Sequence, residues 1–260
     1  VSGKRWPVAA AAALGVVLLL LSCLSWGGCG GKGGEAREGG EDVASPAEAE
    51  GEREGGGEQG AGGHRTVHAC GRSVLAGWME HRGWDGDPAM PARFDGFDFY
   101  YHEMDPPPGI TEDAREVMKR AGGGSIVFFK LCFADFEGGD EETARANLLR
   151  NQAIVDQLVE YSRGFQGQVL LLGNALPVVG EYCDRWLVWN QQSYNRHLEE
   201  LAAGNPGVWV VDLYGALAAP DGSLKARFAP DPYDSHPNAA GYAAMDEALR
   251  LSLASLGELP

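Results

Sequence analysis

Ser125 to Cys132 reads SIVFFKLC, and seven of its eight residues are apolar or small. A short run with no polar alternation suits a strand covered on both faces, which is the position of a central strand in a parallel sheet. Lys130 breaks the run and is expected near the strand's exposed end. The rest of the chain supplies the covering layers. Strand patterns at Thr66–Cys70, Phe97–Tyr101, Val169–Leu172 and Val208–Leu213 alternate with helical patterns at Ser73–His81, Thr111–Arg120, Glu141–Tyr161, Cys183–Leu201 and Ala239–Ser255. Thr111 reads as a cap, Glu112 and Asp113 as an acidic first turn, and Gly122–Gly124 as a stop. Such alternation predicts a three-layer α/β/α sandwich with right-handed crossovers.

A parallel sheet gathers the ends of distant segments at one edge, so residues there acquire meaning. Thr66 to Trp78, TVHACGRSVLAGW, is a strand meeting a helix, with Gly71 allowing a tight turn just before Ser73. A hydroxyl at such a turn stands at the carboxyl edge of the sheet, beside free helix N–H groups. A plain N-cap is the competing use of Ser73. Near the other terminus, DPYDSHPNAAGY (Asp231–Tyr242) puts His236 in a proline-bounded loop before the last helix. The sheet would bring serine and histidine together, as a nucleophile and its base require.

With both stretches in view, the chain resembles the SGNH, or GDSL-type, hydrolases over roughly Thr66 to Leu256. Gly71-Arg72-Ser73-Val74 with Gly77-Trp78 is similar to that family's first block, and Asp234-Ser235-His236-Pro237-Asn238 to its last. The resemblance implies a flavodoxin-like five-stranded parallel sheet, Ser73 as nucleophile and His236 as base. The family's orienting aspartate usually lies three residues before the histidine, where this chain has Tyr233. Asp234 is the preferred substitute, with Asp231 or a bare Ser–His dyad as alternatives. Cys132-Phe133-Ala134-Asp135 stands where the family has its G-x-N-D block, so Ala134 replaces the oxyanion-binding asparagine. Gly71, Asp135 and Asn174 are the remaining oxyanion or binding candidates. Asn174 is a possible stand-in amide, against a turn-forming role. The surroundings of Ser73 are not a G-x-S-x-G elbow, since Leu75 takes the last glycine's place.

Composition bears mainly on the N-terminal quarter. Gly33–Gly60 carries nine acids against two bases, one branched aliphatic residue and no aromatic. Residues 30–64 are therefore expected to form a disordered Gly/Glu-rich tether. Ahead of it, Lys4 and Arg5 precede the apolar run Val8–Leu21, as in an export signal. Cys23 or Cys29 is then the lipidated residue of a lipoprotein, or else residues 1–29 form an uncleaved signal anchor. Either way residues 65–260 are expected to be one folded domain outside the cytoplasm, tethered to the membrane or secreted. A net charge of −16, with no basic stripe to neutralise phosphates, argues against a nucleic-acid partner. Cys70, Cys132 and Cys183 match no zinc spacing, His64 and His68 lack a supporting carboxylate cluster, and no metal or cofactor is expected. The sequence thus predicts a monomeric ester hydrolase of the cell envelope, acting on O-acyl groups of a carbohydrate. An inactive domain binding a glycan or protein partner is the alternative.

Overall fold

The computed structural model describes residues 65–257. The expectations for the signal segment, Cys23, Cys29, His64 and the tether lie outside the described residues. Among the described residues there are six strands: β1 (Arg65–Gly71), β2 (Ala92–Phe94), β3 (Phe97–Glu103), β4 (Ile126–Lys130), β5 (Val169–Gly173) and β6 (Val208–Val211). They form one sheet in the order β2-β3-β1-β4-β5-β6. Five of them, β3-β1-β4-β5-β6, run parallel in the expected flavodoxin-like order. The sixth, β2, is an added antiparallel edge. It pairs with β3 across the two-residue turn Asp95-Gly96, where both residues have positive φ (49° and 79°). That turn matches the right-handed twist of a hairpin, and Asp-Gly is its usual sequence.

Six helices cover the sheet: α1 (Ser73–His81), α2 (Ile110–Ala121), α3 (Glu141–Ser162), α4 (Arg185–Gly204), α5 (Leu213–Leu217) and α6 (Ala239–Gly257). Alternate residues of β4 divide between the layers. Ile126 and Phe128 pack with Leu75 and Trp78 of α1 and Met245 and Leu249 of α6. Val127 and Phe129 pack with Met118 of α2, Leu158 of α3 and Leu198 of α4. This is the covering of both faces that the apolar run demands.

The ends of several elements differ from expectation for local reasons. Gly109, not Thr111, is the N-cap of α2, and its carbonyl takes the N–H groups of Glu112 and Asp113. Asp184 caps α4 by accepting the N–H groups of Trp186 and Leu187. Strand β6 ends at Val211 because Asp212 turns to cap α5 through Gly215 N–H. Lys130 corrects the expectation of an exposed end: its side chain is fully buried. It lies beside Gly173 of β5, where an added Cβ would stand 2.9 Å from Lys130 Cβ. The missing side chain makes room for the lysine stem, and Nζ donates to Leu131 O at 3.0 Å.

Candidate active site

The carboxyl ends of β1 and β4 and the loop before α6 meet at one place. Gly71 closes β1, and its carbonyl accepts Met104 N–H at 3.0 Å and the Tyr101 hydroxyl at 3.3 Å. Its φ is not positive, so the tight turn does not require glycine for conformational freedom. Packing does: a Cβ there would stand 2.8 Å from Leu75 Cδ2 and 3.3 Å from Lys130 O. Arg72 is the N-cap of α1 in extended conformation and makes no side-chain cap bond. Ser73 is the first helical residue and is exposed. Its hydroxyl is therefore free of capping duty. Leu75 and Ala76 N–H both reach back to Arg72 O, so Ser73 and Val74 supply the leading N–H groups of the helix.

Ser73 Oγ lies 3.0 Å from His236 Nε2. His236 Nδ1 lies 2.7 Å from Asp234 Oδ1, and the same oxygen accepts His236 backbone N–H at 2.9 Å. A carboxylate two residues before a histidine can reach both groups because the chain between them forms a tight Asx-type turn. With Nδ1–H donated to Asp234, the Nε2 lone pair faces the serine hydroxyl. The His236 N–H first, and then its ring, hold the Asp234 carboxyl below its ordinary value of 3.8. Asp231 is engaged elsewhere, accepting Tyr233 N–H at 2.7 Å.

Three residues beside this hydrogen-bonded line fix its frame. Ser235, buried between Asp234 and His236, accepts Val179 N–H at 3.1 Å. Asn238 caps α6 through the N–H groups of Ala240 and Gly241, and its amide donates to Arg227 O and Ala229 O. Phe133 sets its ring edge-on to His236, with centroids 5.2 Å apart and planes at 86°. Ser235 and Asn238 belong to the sequence block around His236, but their contacts, like that of Phe133, are to groups remote in the chain.

The other expected site residues are placed apart from this line. Asn174 bridges the ends of β5 and β6: its amide nitrogen donates to Asp212 Oδ1 at 2.8 Å, and its oxygen accepts Tyr214 N–H at 2.7 Å. That is a turn-holding arrangement. Asp135 is buried, accepts Cys132 N–H at 2.7 Å and pairs with Arg72. A carboxylate so used is an acceptor and cannot donate to an oxyanion. Ala134 is exposed and offers no side-chain donor. Among the described residues no three His, Cys, Asp or Glu side chains are grouped to hold a metal. His68 Nδ1 and His102 Nε2 lie 3.1 Å apart on neighbouring strands, away from any such group. Cys70 and Cys132 are buried thiols, and burial pushes that of Cys70 far up.

Comparison with known proteins bears on the family and the fold. The sequence model of the GDSL-like lipase/acylhydrolase family matches residues 108–244, over half of the chain, including Asp234 and His236. Its match begins after Ser73, which the fold brings to the histidine. No curated protein matches the sequence. Among solved structures, a Streptococcus pneumonia protein provisionally described as a platelet activating factor superposes with a TM-score of 0.51. It is 19% identical, over 75% of this chain and 86% of its own. A GDSL-like lipase from Bacteroides thetaiotaomicron gives 0.50 at 14% identity, over 74% and 88% of the two chains. At such identities the likeness speaks for the fold, while the family match speaks for descent. The chain belongs to the GDSL-like lipase/acylhydrolase family of ester-hydrolysing enzymes.

Proposed function

We propose that the protein is a serine esterase in which Ser73 is the nucleophile, His236 the general base and acid, and Asp234 the orienting carboxylate. The observation that carries this reading is the continuous line Asp234 Oδ1–His236 Nδ1 (2.7 Å) and His236 Nε2–Ser73 Oγ (3.0 Å). Both separations fall within hydrogen-bond reach, as a nucleophile and its base need. Ser73 Oγ attacks the ester carbonyl carbon while its proton passes to His236 Nε2. The tetrahedral adduct collapses, the C–O bond to the alcohol breaks, and His236 returns the proton to the leaving oxygen. Water then adds to the acyl-serine, again giving a proton to His236, and the carboxylic acid leaves as Ser73 recovers its hydrogen. Asp234 stays ionised throughout and stabilises the imidazolium.

The N–H of Ser73 at the positive end of α1 is a built-in donor for the oxyanion. Ala134 contributes no side-chain amide, and loss of one such donor costs about 2.7–4 kcal/mol of transition-state stabilisation. That observation supports the second reading, a slow or inactive domain that binds a glycan or protein at the same edge. An O-acylated envelope carbohydrate is the substrate favoured by the export-type N-terminus, with Lys4 and Arg5 before Val8–Leu21 and a cysteine at position 23 or 29. The same features support an extracytoplasmic, membrane-tethered location.

Hydrolysis of a chromogenic acetyl ester by the purified protein, against Ser73→Ala and His236→Ala, tests the enzyme. Activity should vanish in both variants, and wild-type turnover no faster than Ser73→Ala would establish the binding reading. Asp234→Asn should lower kcat by about 10⁴-fold through the wrong imidazole tautomer. A negligible effect would leave a Ser–His dyad.

A further inference from the structure

We infer that Arg72 and Asp135 form a positioning pair that sets the register between the nucleophile and its base; this rests on the serine-esterase reading above. Arg72 directly precedes Ser73, and its guanidinium Nη1 bonds Asp135 Oδ1. The other carboxylate oxygen, Oδ2, accepts Cys132 N–H at 2.7 Å, so the side chain closes the Phe133–Asp135 turn after β4. The Asp135 carbonyl is held in turn by three side-chain donors of α3: Asn147 Nδ2 (3.0 Å), Arg150 Nη2 (2.9 Å) and Asn151 Nδ2 (2.9 Å). One peptide oxygen taking three donors makes this turn a fixed point in the molecule.

That fixed point touches both halves of the candidate triad. Through Asp135 it holds the residue before Ser73, and through Phe133 it packs on the imidazole of His236. A shift of the β1–α1 turn relative to the Phe133–Asp135 turn would therefore change the Ser73–His236 separation directly. In a catalytic line with two bonds near 3 Å there is little slack, and a misplacement of about 1 Å can cost 10²-fold in rate. Arg72 suits the task better than lysine, since its planar fork loses less freedom for each bond formed. Neither residue donates or takes a proton in the reaction. They act through Ser73 and His236.

The test combines steady-state kinetics on a chromogenic acetyl ester with amide exchange in the full chain. Arg72→Met keeps the aliphatic stem and removes the bond. Its kcat should fall by about 10²-fold with KM within about threefold of wild type, the pattern of lost transition-state alignment. Arg72→Lys should recover about tenfold of that loss, and Arg72→Met/Asp135→Asn should be no worse than about twofold below Arg72→Met alone. Exchange of Cys132 N–H, which is bonded to Asp135, should speed up by about tenfold in Arg72→Met while Val127 and Phe129 N–H are unchanged. A kcat within about threefold of wild type overturns the inference, as does a raised KM at unchanged kcat, which would place Arg72 on the substrate. Should wild type prove inactive, the esterase reading fails by itself. Exchange then decides the pair: an unchanged Cys132 N–H overturns it, and faster exchange confined to the turn upholds it.

Discussion

Helix α1 carries an arginine–aspartate pair at each end, and the two pairs are built differently. At the N-terminal end Arg72 is about a quarter exposed while Asp135 is 2% exposed, and the carboxylate is tied into backbone. At the C-terminal end the roles reverse. The Arg82 side chain is 2% exposed, lies on the rings of Trp78, Phe94 and Phe99 at 4.4, 4.1 and 4.8 Å, and reaches Asp246 of α6 at 2.6 Å. Trp78 Nε1 donates to the same Asp246 oxygen at 2.7 Å. Burial pulls the Arg82 pKa down to about 10, against the opposing pull of Asp246. One pair therefore aligns loops at the open edge of the sheet. The other joins two helices through a desolvated cation, and its value is structural. A single nine-residue helix separates alignment from stability along its own axis.

The strongest way to break that division is at the dry end. Asp246→Ala leaves a buried guanidinium without its counter-charge and should cost about 3–5 kcal/mol in urea unfolding. Turnover per folded molecule should stay at the wild-type level. A variant of unchanged stability but impaired turnover would erase the distinction between the two ends.

The middle of the helix gives the next effect. A Cβ on Gly77 would collide with the Tyr242 hydroxyl and stand 3.2 Å from Cζ, so the tyrosine of α6 fills the space over this glycine of α1. Gly77→Ala should destabilise by about 1–3 kcal/mol through overpacking, measured by thermal unfolding. Tyr242→Phe in the same background should return part of the loss. No rescue would mean that the strain lies in the helix backbone.

Lys130 sharpens the comparison because it is a buried cation without a paired carboxylate contact. Burial lowers its pKa, with Asp135 opposing the shift and Arg72 adding to it. The folded protein then loses this proton at lower pH than the unfolded chain, whose value is near 10.5. Stability should thus rise as pH increases through the folded-state pKa toward 10.5, since the unfolded state holds more protons there. Lys130→Met should remove this slope and leave stability at neutral pH unchanged or raised by about 1 kcal/mol or more. A loss instead would show that the bond to Leu131 O outweighs desolvation.

The smallest effect on stability belongs to Asp234, whose side chain is 42% exposed. Its depressed pKa means that its contribution is present above the unfolded value of 3.8 and is lost as pH falls through the lower folded one. The stability curves of wild type and Asp234→Asn should differ in slope only in that acid window and run parallel, with a constant offset, above it. A difference in slope near neutrality would assign the effect to another group.

Much of this was legible because it rested on period and composition. The apolar run at Ser125–Cys132, the helical spacing around it and the glycine–serine turn each encode a local preference that the fold keeps. Asp234 was legible as a residue two positions from His236, although the Asx-type turn that makes this spacing work is a matter of geometry. Strand β2 escaped notice since three residues are too few to show alternation, yet the Asp95-Gly96 turn beside it was a signal available to be read. Lys130 misled because charge usually means exposure; the space for it comes from Gly173, 43 residues away and adjacent only in the sheet. Asn174 and Asp135 are polar residues just past strands, and sequence alone does not separate a polar group facing a cavity from one holding a turn. The Arg72–Asp135 contact spans 63 positions and could not be read from either residue.

The loop that carries Asp234 and His236 is one jaw of a clamp, with Ser73 on the other. Within the jaw, one carboxylate oxygen grips both the ring and the peptide of His236, two residues on. The jaw is seated on the body through the buried Ser235 hydroxyl at Val179 N–H and through the Asn238 amide. A displacement that carries the jaw as a unit would keep the imidazole oriented on its aspartate and open only the bond to Ser73.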